Sequence, residues 1–562
     1  MENIIKQYTF WRAQALPRQL YQELEDISKD TEQIYERFCR EINFGTSGLR
    51  GKMGAGPNRM NEVVIKRATM GVADYLLSKN DRPLAVIGYD TRINSKEFAE
   101  EVARDLSVMG VDSYLFPEPT PVPVVSFAIK HLKASCGIMI TASHNPKIYN
   151  GYKVYDSVGN QIDDDKARLV ESYISKHEYF EEVAEHPEQD GVITIGDGKV
   201  KEAYLKALAG NLLLWTDDKD EAAMALSKLN VIYTPLNGAG RDYCIRVFEN
   251  LGVSNVSFVK EQWERDGNFP TCPYPNPENP DAFSKALGYI KEDTDIIIAT
   301  DPDSDRMGVM AKKAGEKGQF VRLTGDQVGL LMLDYICQCH SNGIGGKVLG
   351  PNKVAYKSFV SSPFAEDIAR HYGIQLKNVP TGFKNIAREM EVLKQEGRED
   401  DFLFGFEESL GYLYGTYTRD KDGVLATQMA CLIAAKLKKE GKTLYDKLDE
   451  LHQKLGYVKS KGMAIEFEAE KDRETMSQIM KDLFDNKLTS LMGQNLEVDE
   501  EYGKLKMFKA NLAGGHQVII RPSGTELKIK IYVSAKGNSA AEADDAAEKM
   551  VQELKTFGDT YK

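Results

Sequence analysis

Three times along this 562-residue chain, short apolar runs alternate with stretches of helical spacing in the same order, and that recurrence restricts the fold more than any single motif. The first round holds Leu84-Ala-Val-Ile-Gly-Tyr-Asp90, a helical pattern from Ser95 to Met109 and a strand from Asp112 to Phe116. The extended connector Pro117-Glu-Pro-Thr-Pro-Val-Pro123 then leads into a helix and on to the strand Gly137-Ile-Met-Ile140. The second round has a strand at Leu229–Pro235, the turn Leu236-Asn-Gly-Ala-Gly240 and a helix from Asp242 to Leu251. It continues with a strand at Val256–Val259, a helix near Asp281–Tyr289 and a strand at Asp295–Ala299. The third has strands at Lys347–Leu349, Leu376–Val379 and Phe402–Phe404, with a helix at Phe364–Tyr372. Short apolar runs bounded by turn formers are buried strands, and their alternation with helices is the signature of a doubly wound α/β domain. Ligands in such domains sit in the loops beyond the carboxyl ends of the strands. After about Gly456 the pattern changes to a strand at Met463–Phe467, a helix at Arg473–Phe484, strands at Val518–Ile520 and Ile529–Val533, and a last helix from Ala540. That order reads as a smaller α+β domain. Residues 1 to about 40 read as a helical arm carrying Trp11, Leu16, Leu20, Leu24 and Ile27.

A chain this long exceeds one hydrophobic core, so about three or four domains are expected. Hydrophobic residues at 42% and charged residues at 28% place it among ordinary globular proteins, and no long uncharged apolar run offers a membrane span. The net charge of −13 argues against a nucleic-acid binder, so an anionic substrate must be captured by local basic loops. Seven scattered cysteines suit reduced thiols, and the opening Met1-Glu-Asn-Ile-Ile-Lys6 carries no signal-peptide pattern; a cytoplasmic location is expected. The cluster Cys337-x-Cys339-His340 lies on an apolar helical stretch and reads as helix surface and core.

Four loops carry chemistry. Thr141-Ala-Ser-His-Asn-Pro146 follows an apolar strand and presents Ser143 where a nucleophile belongs; a plain polar turn, with Pro146 opening a helix, would look the same in isolation. In Asp301-Pro-Asp-Ser-Asp-Arg306 three carboxylates at alternate positions of a tight turn can converge on one hard divalent cation. An EF-hand fails here, because its required glycine and glutamate positions hold Arg306 and Lys312. Thr381-Gly-Phe-Lys384 and Gly405-Phe-Glu-Glu-Ser-Leu-Gly411 put hydroxyls, a lysine and two carboxylates at strand ends, suited to sugar hydroxyls. Arg521-Pro-Ser-Gly-Thr-Glu-Leu-Lys528 gathers an arginine, two hydroxyls and a lysine about a glycine, as a phosphate cradle does. Phe44-Gly-Thr-Ser-Gly-Leu-Arg-Gly51 adds a second glycine-rich loop with Arg50 poised for an anion.

Together and in this order, the serine, Asp-rich, Glu-Glu-Ser and Arg-Pro-Ser-Gly-Thr loops resemble the α-D-phosphohexomutase superfamily over nearly the whole chain. Thr141–Pro146 is similar to that family's phosphoserine loop and Asp301–Arg306 to its magnesium loop. Tyr149-Asn-Gly-Tyr-Lys-Val-Tyr155 and Arg419-Asp-Lys-Asp-Gly423 look closest to the branch holding bacterial phosphoglucomutases and the phosphopentomutase-like enzymes of animals. The resemblance implies three similar α/β domains, over 1–205, 206–322 and 323–455, and a C-terminal TATA-binding-protein-like α+β domain over 456–562, around a central cleft.

By the same resemblance, Ser143 would carry a phosphoryl group, and one Mg²⁺ would be held by Asp301, Asp303, Asp305 and the Ser143 phosphate. Arg50 and Arg306 would flank the transferring group, with His144 and Lys153 as general acid and base in either assignment. Thr381, Gly382, Lys384 and Arg419 would bind the substrate, Glu407 and Ser409 would recognise its sugar hydroxyls, and Arg521, Ser523, Gly524 and Thr525 would hold the distal phosphate. Leu527 stands where the family usually has proline, and Asn237 where this branch often has histidine. The implied activity is interconversion of glucose 1-phosphate and glucose 6-phosphate, with glucose 1,6-bisphosphate as intermediate and activator. Phosphomannomutase, phosphopentomutase, sugar bisphosphate synthase and a non-catalytic phosphosugar sensor are the alternatives. The expected partner is a small phosphosugar, with no nucleic acid or membrane, for a monomer or dimer.

Overall fold

The computed structural model describes residues 1–45, 48–186, 190–313, 319–467, 472–523 and 528–561. Its first three sheets share one plan. In the first, Asp112–Leu115, Leu84–Tyr89 and Cys136–Ile140 run parallel in that spatial order, and Tyr149–Tyr155 turns back antiparallel beside Cys136–Ile140. In the second, Asn255–Phe258, Asn230–Thr234 and Ile296–Thr300 are parallel, with Met307–Lys312 returning antiparallel. In the third, Gln375–Val379, Val354–Ser358 and Phe402–Glu407 are parallel, with Gly411–Leu413 returning. The serine loop, the Asp-rich loop and the Glu-Glu-Ser loop are therefore the same element three times: the turn between the third parallel strand and its antiparallel partner. The α/β class read from the sequence stands, with sheets that are mixed rather than purely parallel. Loops of a few residues can close only an antiparallel pair; a parallel return needs a crossover.

Apolar residues of all three α/β units form one continuous core that includes Val86, Val231 and Val354. Main-chain bonds join the units at the cleft. Val122 N–H donates to the Asp303 carbonyl (2.9 Å), Gly423 N–H to that of Ser304 (3.1 Å) and Met307 N–H to that of Leu410 (3.2 Å). At roughly 1.5–3 kcal/mol for each large side chain buried, this shared core holds the three units together. The C-terminal unit has a core of its own. Its antiparallel sheet runs Tyr457–Glu466, Lys528–Gly537, His516–Pro522, Phe508–Leu512 and Glu497–Val498, with helices Arg473–Phe484 and Ala540–Asp559 packed on it.

The helical N-terminal arm stands, and two element expectations are corrected. The N-terminal arm is three helices, Glu2–Arg12, Arg18–Asp26 and Thr31–Phe38, because Pro17 opens the second and the Asp30 carboxylate caps the third. The first strand of the third unit is Val354–Ser358, entirely buried, not Lys347–Leu349. Val348 is 71% exposed, and the stretch follows a turn in which Gly345 and Gly346 have positive φ angles. The helix near Asp281–Tyr289 shortens to Pro280–Phe283 and the single turn Ser284–Leu287. Helix Lys199–Gly210 spans position 205, where the first two units were expected to meet.

Candidate active site

Strand Cys136–Ile140 is buried along its whole length and delivers Thr141 and Ser143 to the cleft. No helix opens at Pro146; the chain turns directly into the strand Tyr149–Tyr155. Ser143 has φ 54°, and its N–H donates to Thr141 Oγ1 (2.8 Å). Its hydroxyl lies 3.1 Å from Asp301 Oδ2 and 3.2 Å from His144 Nδ1.

Strand Ile296–Thr300, equally buried, delivers Asp301, Asp303 and Asp305, each at most 1% exposed. One oxygen from each carboxylate lies within 4.8 Å of the other two. The loop is cradled by the second unit's own glycine turn: Ala239 N–H donates to the Pro302 carbonyl (2.8 Å), and a Cβ on Gly238 would come within 2.5 Å of Pro302 Cα. Asp301 Oδ1 accepts the Arg306 N–H (3.0 Å), and Asp303 Oδ2 accepts from Lys153 Nζ (3.0 Å) and Thr141 Oγ1 (3.2 Å). The other oxygen of Asp303, and Oδ1 of Asp305, are buried with no hydrogen-bond partner among the described residues. Burial, reinforced by Asp303 and Asp305, pushes the Asp301 carboxyl well above the ordinary range. Buried carboxylates gathered with bare oxygens are costly unless a cation joins them, so this donor set fits a hard divalent ion.

Lys153 sits on the returning strand directly opposite Met139, which sends its ammonium group onto Asp303. Arg50 lies one strand further out, opposite Gly151; the turn before it requires Gly48, whose φ is 69° and whose Cβ would strike the Tyr152 carbonyl oxygen. Arg306 points between Asp305 and Glu278, at 3.8 and 3.7 Å. His144, half-buried with its ring 6.0 Å from that of Tyr274, has its pKa pushed well down, first by burial and then by Arg306, Arg50 and Arg92.

The sugar-loop residues surround a second polar spot. Glu407, ending its strand and 5% exposed, accepts the Gly382 N–H (2.7 Å), and burial with the neighbouring Glu408 raises its pKa to about 7. Thr381 and Ser409 are half-buried beside it, while the Lys384 ammonium is held 2.9 Å from Asp164 of the first unit. Arg521 Nη2 donates to Tyr532 Oη (3.2 Å), and that hydroxyl lies 3.5 Å from Glu408 Oε1, which sets strand His516–Pro522 beside the Glu-Glu-Ser loop. Ser523 N–H closes on the Lys528 carbonyl (2.8 Å). Gly524 and Thr525, also expected here, lie outside the described residues.

Arg419 is placed differently. Its side chain is fully buried away from the cleft, donating to Glu391 and Glu399 and to the carbonyls of Thr416 and Thr418. Those bonds engage all three of its nitrogens in holding the chain. Two residues further on, Lys421 reaches the aspartate cluster, with Nζ 2.7 Å from Asp305 Oδ2. Sequence reasoning singled out Arg419 and passed over Lys421. It also passed over Asp90 and Arg92, although they end the strand Leu84–Tyr89 as the serine and aspartates end theirs.

Sequence models of the family match this chain three times: "Phosphoglucomutase/phosphomannomutase, alpha/beta/alpha domain I" at residues 41–181, domain II at 202–315 and domain III at 324–455. A phosphoglucomutase of Staphylococcus haemolyticus is 34% identical over 520 residues, covering 88% of this chain and 91% of its own. One of Staphylococcus aureus is 32% identical over 560 residues, covering 95% and 96%. In fold, the crystal structure of a phosphoglucomutase/phosphomannomutase family protein of Burkholderia thailandensis superposes with a TM-score of 0.68 at 18% identity, over 92% of this chain and 98% of that one. The open form of the Paramecium phosphoglucomutase parafusin gives 0.66 at 18% identity, over 92% and 94%. Matched in all three α/β units and aligned nearly end to end with phosphoglucomutases, the chain belongs to the phosphoglucomutase/phosphomannomutase family.

Proposed function

We propose that this protein is a phosphosugar mutase that interconverts glucose 1-phosphate and glucose 6-phosphate through a phosphorylated Ser143. The observation that carries the reading is the Ser143 hydroxyl 3.1 Å from Asp301, within a buried cluster of three aspartates and two lysines. The names of the relatives at 32–34% identity favour glucose among the sugars.

Asp301, Asp303, Asp305 and an oxygen of the Ser143 phosphate would hold Mg²⁺. Bound there, the ion supplies positive charge that polarises the transferring phosphoryl group. Arg306 and Arg50 offer guanidinium donors to the same group, and the reaction depends chiefly on such positioning and charge compensation. In the forward direction the 6-hydroxyl oxygen of glucose 1-phosphate attacks phosphorus as the bond to Ser143 Oγ breaks. Its proton passes to His144 or Lys153. Glucose 1,6-bisphosphate results, turns over in the cleft, and gives its 1-phosphoryl group back to Ser143 Oγ while the sugar 1-oxygen takes a proton. Glu407 and Ser409 would read sugar hydroxyls in both orientations, while Arg521, Ser523, Gly524 and Thr525 hold the phosphate that is not reacting.

The test is a coupled assay with Mg²⁺ and trace glucose 1,6-bisphosphate, offering glucose, mannose and ribose 1-phosphates side by side. Preference for glucose 1-phosphate, lost with EDTA and in Ser143→Ala, is the expected result. A Ser143→Ala protein of undiminished rate sinks the proposal.

A further inference from the structure

The strand Leu84–Tyr89 ends in Asp90-Thr-Arg92, beneath the serine loop. Arg92 is 3% exposed, and the ring of Phe269, from the second unit, lies 5.1 Å from its guanidinium carbon. Its Nη1 donates to the carbonyls of Pro146 (3.0 Å) and Tyr149 (3.1 Å), and its Nη2 to those of Ser143 (2.6 Å) and Asn145. Asp90 balances the charge, with Oδ2 3.2 Å from Arg92 Nε, and the same carboxylate accepts the hydroxyls of Thr141 (2.6 Å) and Ser95 (2.8 Å).

Both main-chain polar groups of Ser143 are thus anchored to one pair. The carbonyl is held by Arg92, and the N–H by Thr141 Oγ1, which is itself held by Asp90. This matters because Ser143 has φ 54°. A serine rests in the left-handed region only where its surroundings over-determine it. Here that conformation aims the hydroxyl at Asp301.

We propose that Arg92 is the positioning residue of the nucleophile loop: its guanidinium gathers four carbonyls of residues 143–149 and so fixes Ser143 in the left-handed conformation that points its hydroxyl into the aspartate cluster. Only a planar fork of donors can span those carbonyls; an ammonium group has three donors from one point and cannot. The inference rests on the reading of Ser143 as the phosphoryl carrier.

The experiment is a quench-flow measurement of phosphoryl transfer from the phosphorylated full-length enzyme to glucose 1-phosphate, comparing the unaltered protein with Arg92→Lys. Transfer is expected to slow by about 100-fold, the scale of a displacement of ~1 Å at the reacting atom. KM and Mg²⁺ affinity should stay within about threefold, since a merely loosened fold moves them together with kcat. Phe269→Leu, which removes the ring against the guanidinium and none of its hydrogen bonds, provides a second variant should Arg92→Lys not fold; it should slow transfer by several fold with KM unmoved. Transfer at the unaltered rate in a folded Arg92→Lys or Phe269→Leu protein overturns the inference alone. Failure of the unaltered protein to acquire phosphate on Ser143 overturns both this inference and the mutase reading.

Discussion

Ser143 Oγ and Asp301 Oδ2 lie 3.1 Å apart although 158 residues separate them in the chain. The contact joins two turns that occupy the same topological position in two different sheets. Asp303, from the second turn, also accepts from Thr141 and Lys153 of the first unit, so the candidate nucleophile and the candidate metal site are built on each other.

Asp303→Asn removes one charge from the proposed metal site and the partner of Lys153. Activity at saturating Mg²⁺ is expected to fall by about 10²–10³-fold, the range seen when one electrostatic stabiliser is lost. Calorimetric Mg²⁺ titration of the variant should show weakened binding; unchanged affinity would remove Asp303 from the ligand set.

Lys421 and Arg419 should separate cleanly. Lys421→Met leaves Asp305 without its 2.7 Å partner and should lower kcat by about 10²-fold with little change in melting temperature. Arg419→Met strands Glu391 and Glu399 and should cost about 3 kcal/mol of stability, the scale of a broken buried pair, with KM unaltered. Steady-state kinetics and thermal melts of the two variants read the difference. A raised KM in a stable Arg419 variant would return that residue to the substrate site.

Helix Ser95–Val108 carries a pH dependence away from the site. Burial raises the Asp105 carboxyl to about 6, against the pull of Lys66 and Arg104, and burial together with Asp105 raises Glu101 to about 7. Between pH ~4 and ~7 the unfolded chain has released these protons while the folded chain retains them, so their contribution to stability falls as pH rises. Asp105 is 8% exposed and its Oδ2 has no hydrogen-bond partner among the described residues. Asp105→Asn should therefore raise stability by about 2 kcal/mol at pH 7.5 and add nothing at pH 4. Melting curves at the two pH values check it; equal effects at both would sink the assignment.

Glu407→Ala should raise KM for glucose 1-phosphate more than it lowers kcat, by about tenfold for one lost charged hydrogen bond. It also frees the Gly382 N–H, so Glu407→Gln, which keeps an acceptor there, should lie between the two. Unaltered KM and kcat in Glu407→Gln would mean that Glu407 serves only the loop.

Much of the fold was legible because buried strands announce themselves. The helices at Phe364–Tyr372 and Arg473–Phe484 keep the ends read from their spacing. Val354–Ser358 was missed because Lys357 interrupts it, and only the folded chain shows that ammonium buried and donating to the Ser361 carbonyl (3.1 Å). The nearby Val348-Leu349 pair looked more strand-like, yet it follows a glycine turn as irregular chain, with Val348 exposed and Leu349 only half-buried against the core.

By itself the sequence determined the α/β repeat, the serine turn and the aspartate turn, since each is specified within a few residues by apolar runs, turn formers and the spacing of its side chains. Tertiary structure alone decided which cation serves the aspartates. Arg419 and Lys421 are two residues apart, and the partners that separate them, Glu391 and Glu399 for one and Asp305 for the other, come from distant segments. The same holds for Arg92, whose role depends on carbonyls more than fifty residues away. A local pattern sets backbone shape and donor type; the long-range partner of a buried charge is chosen only when the sheets pack and its solvation must be replaced.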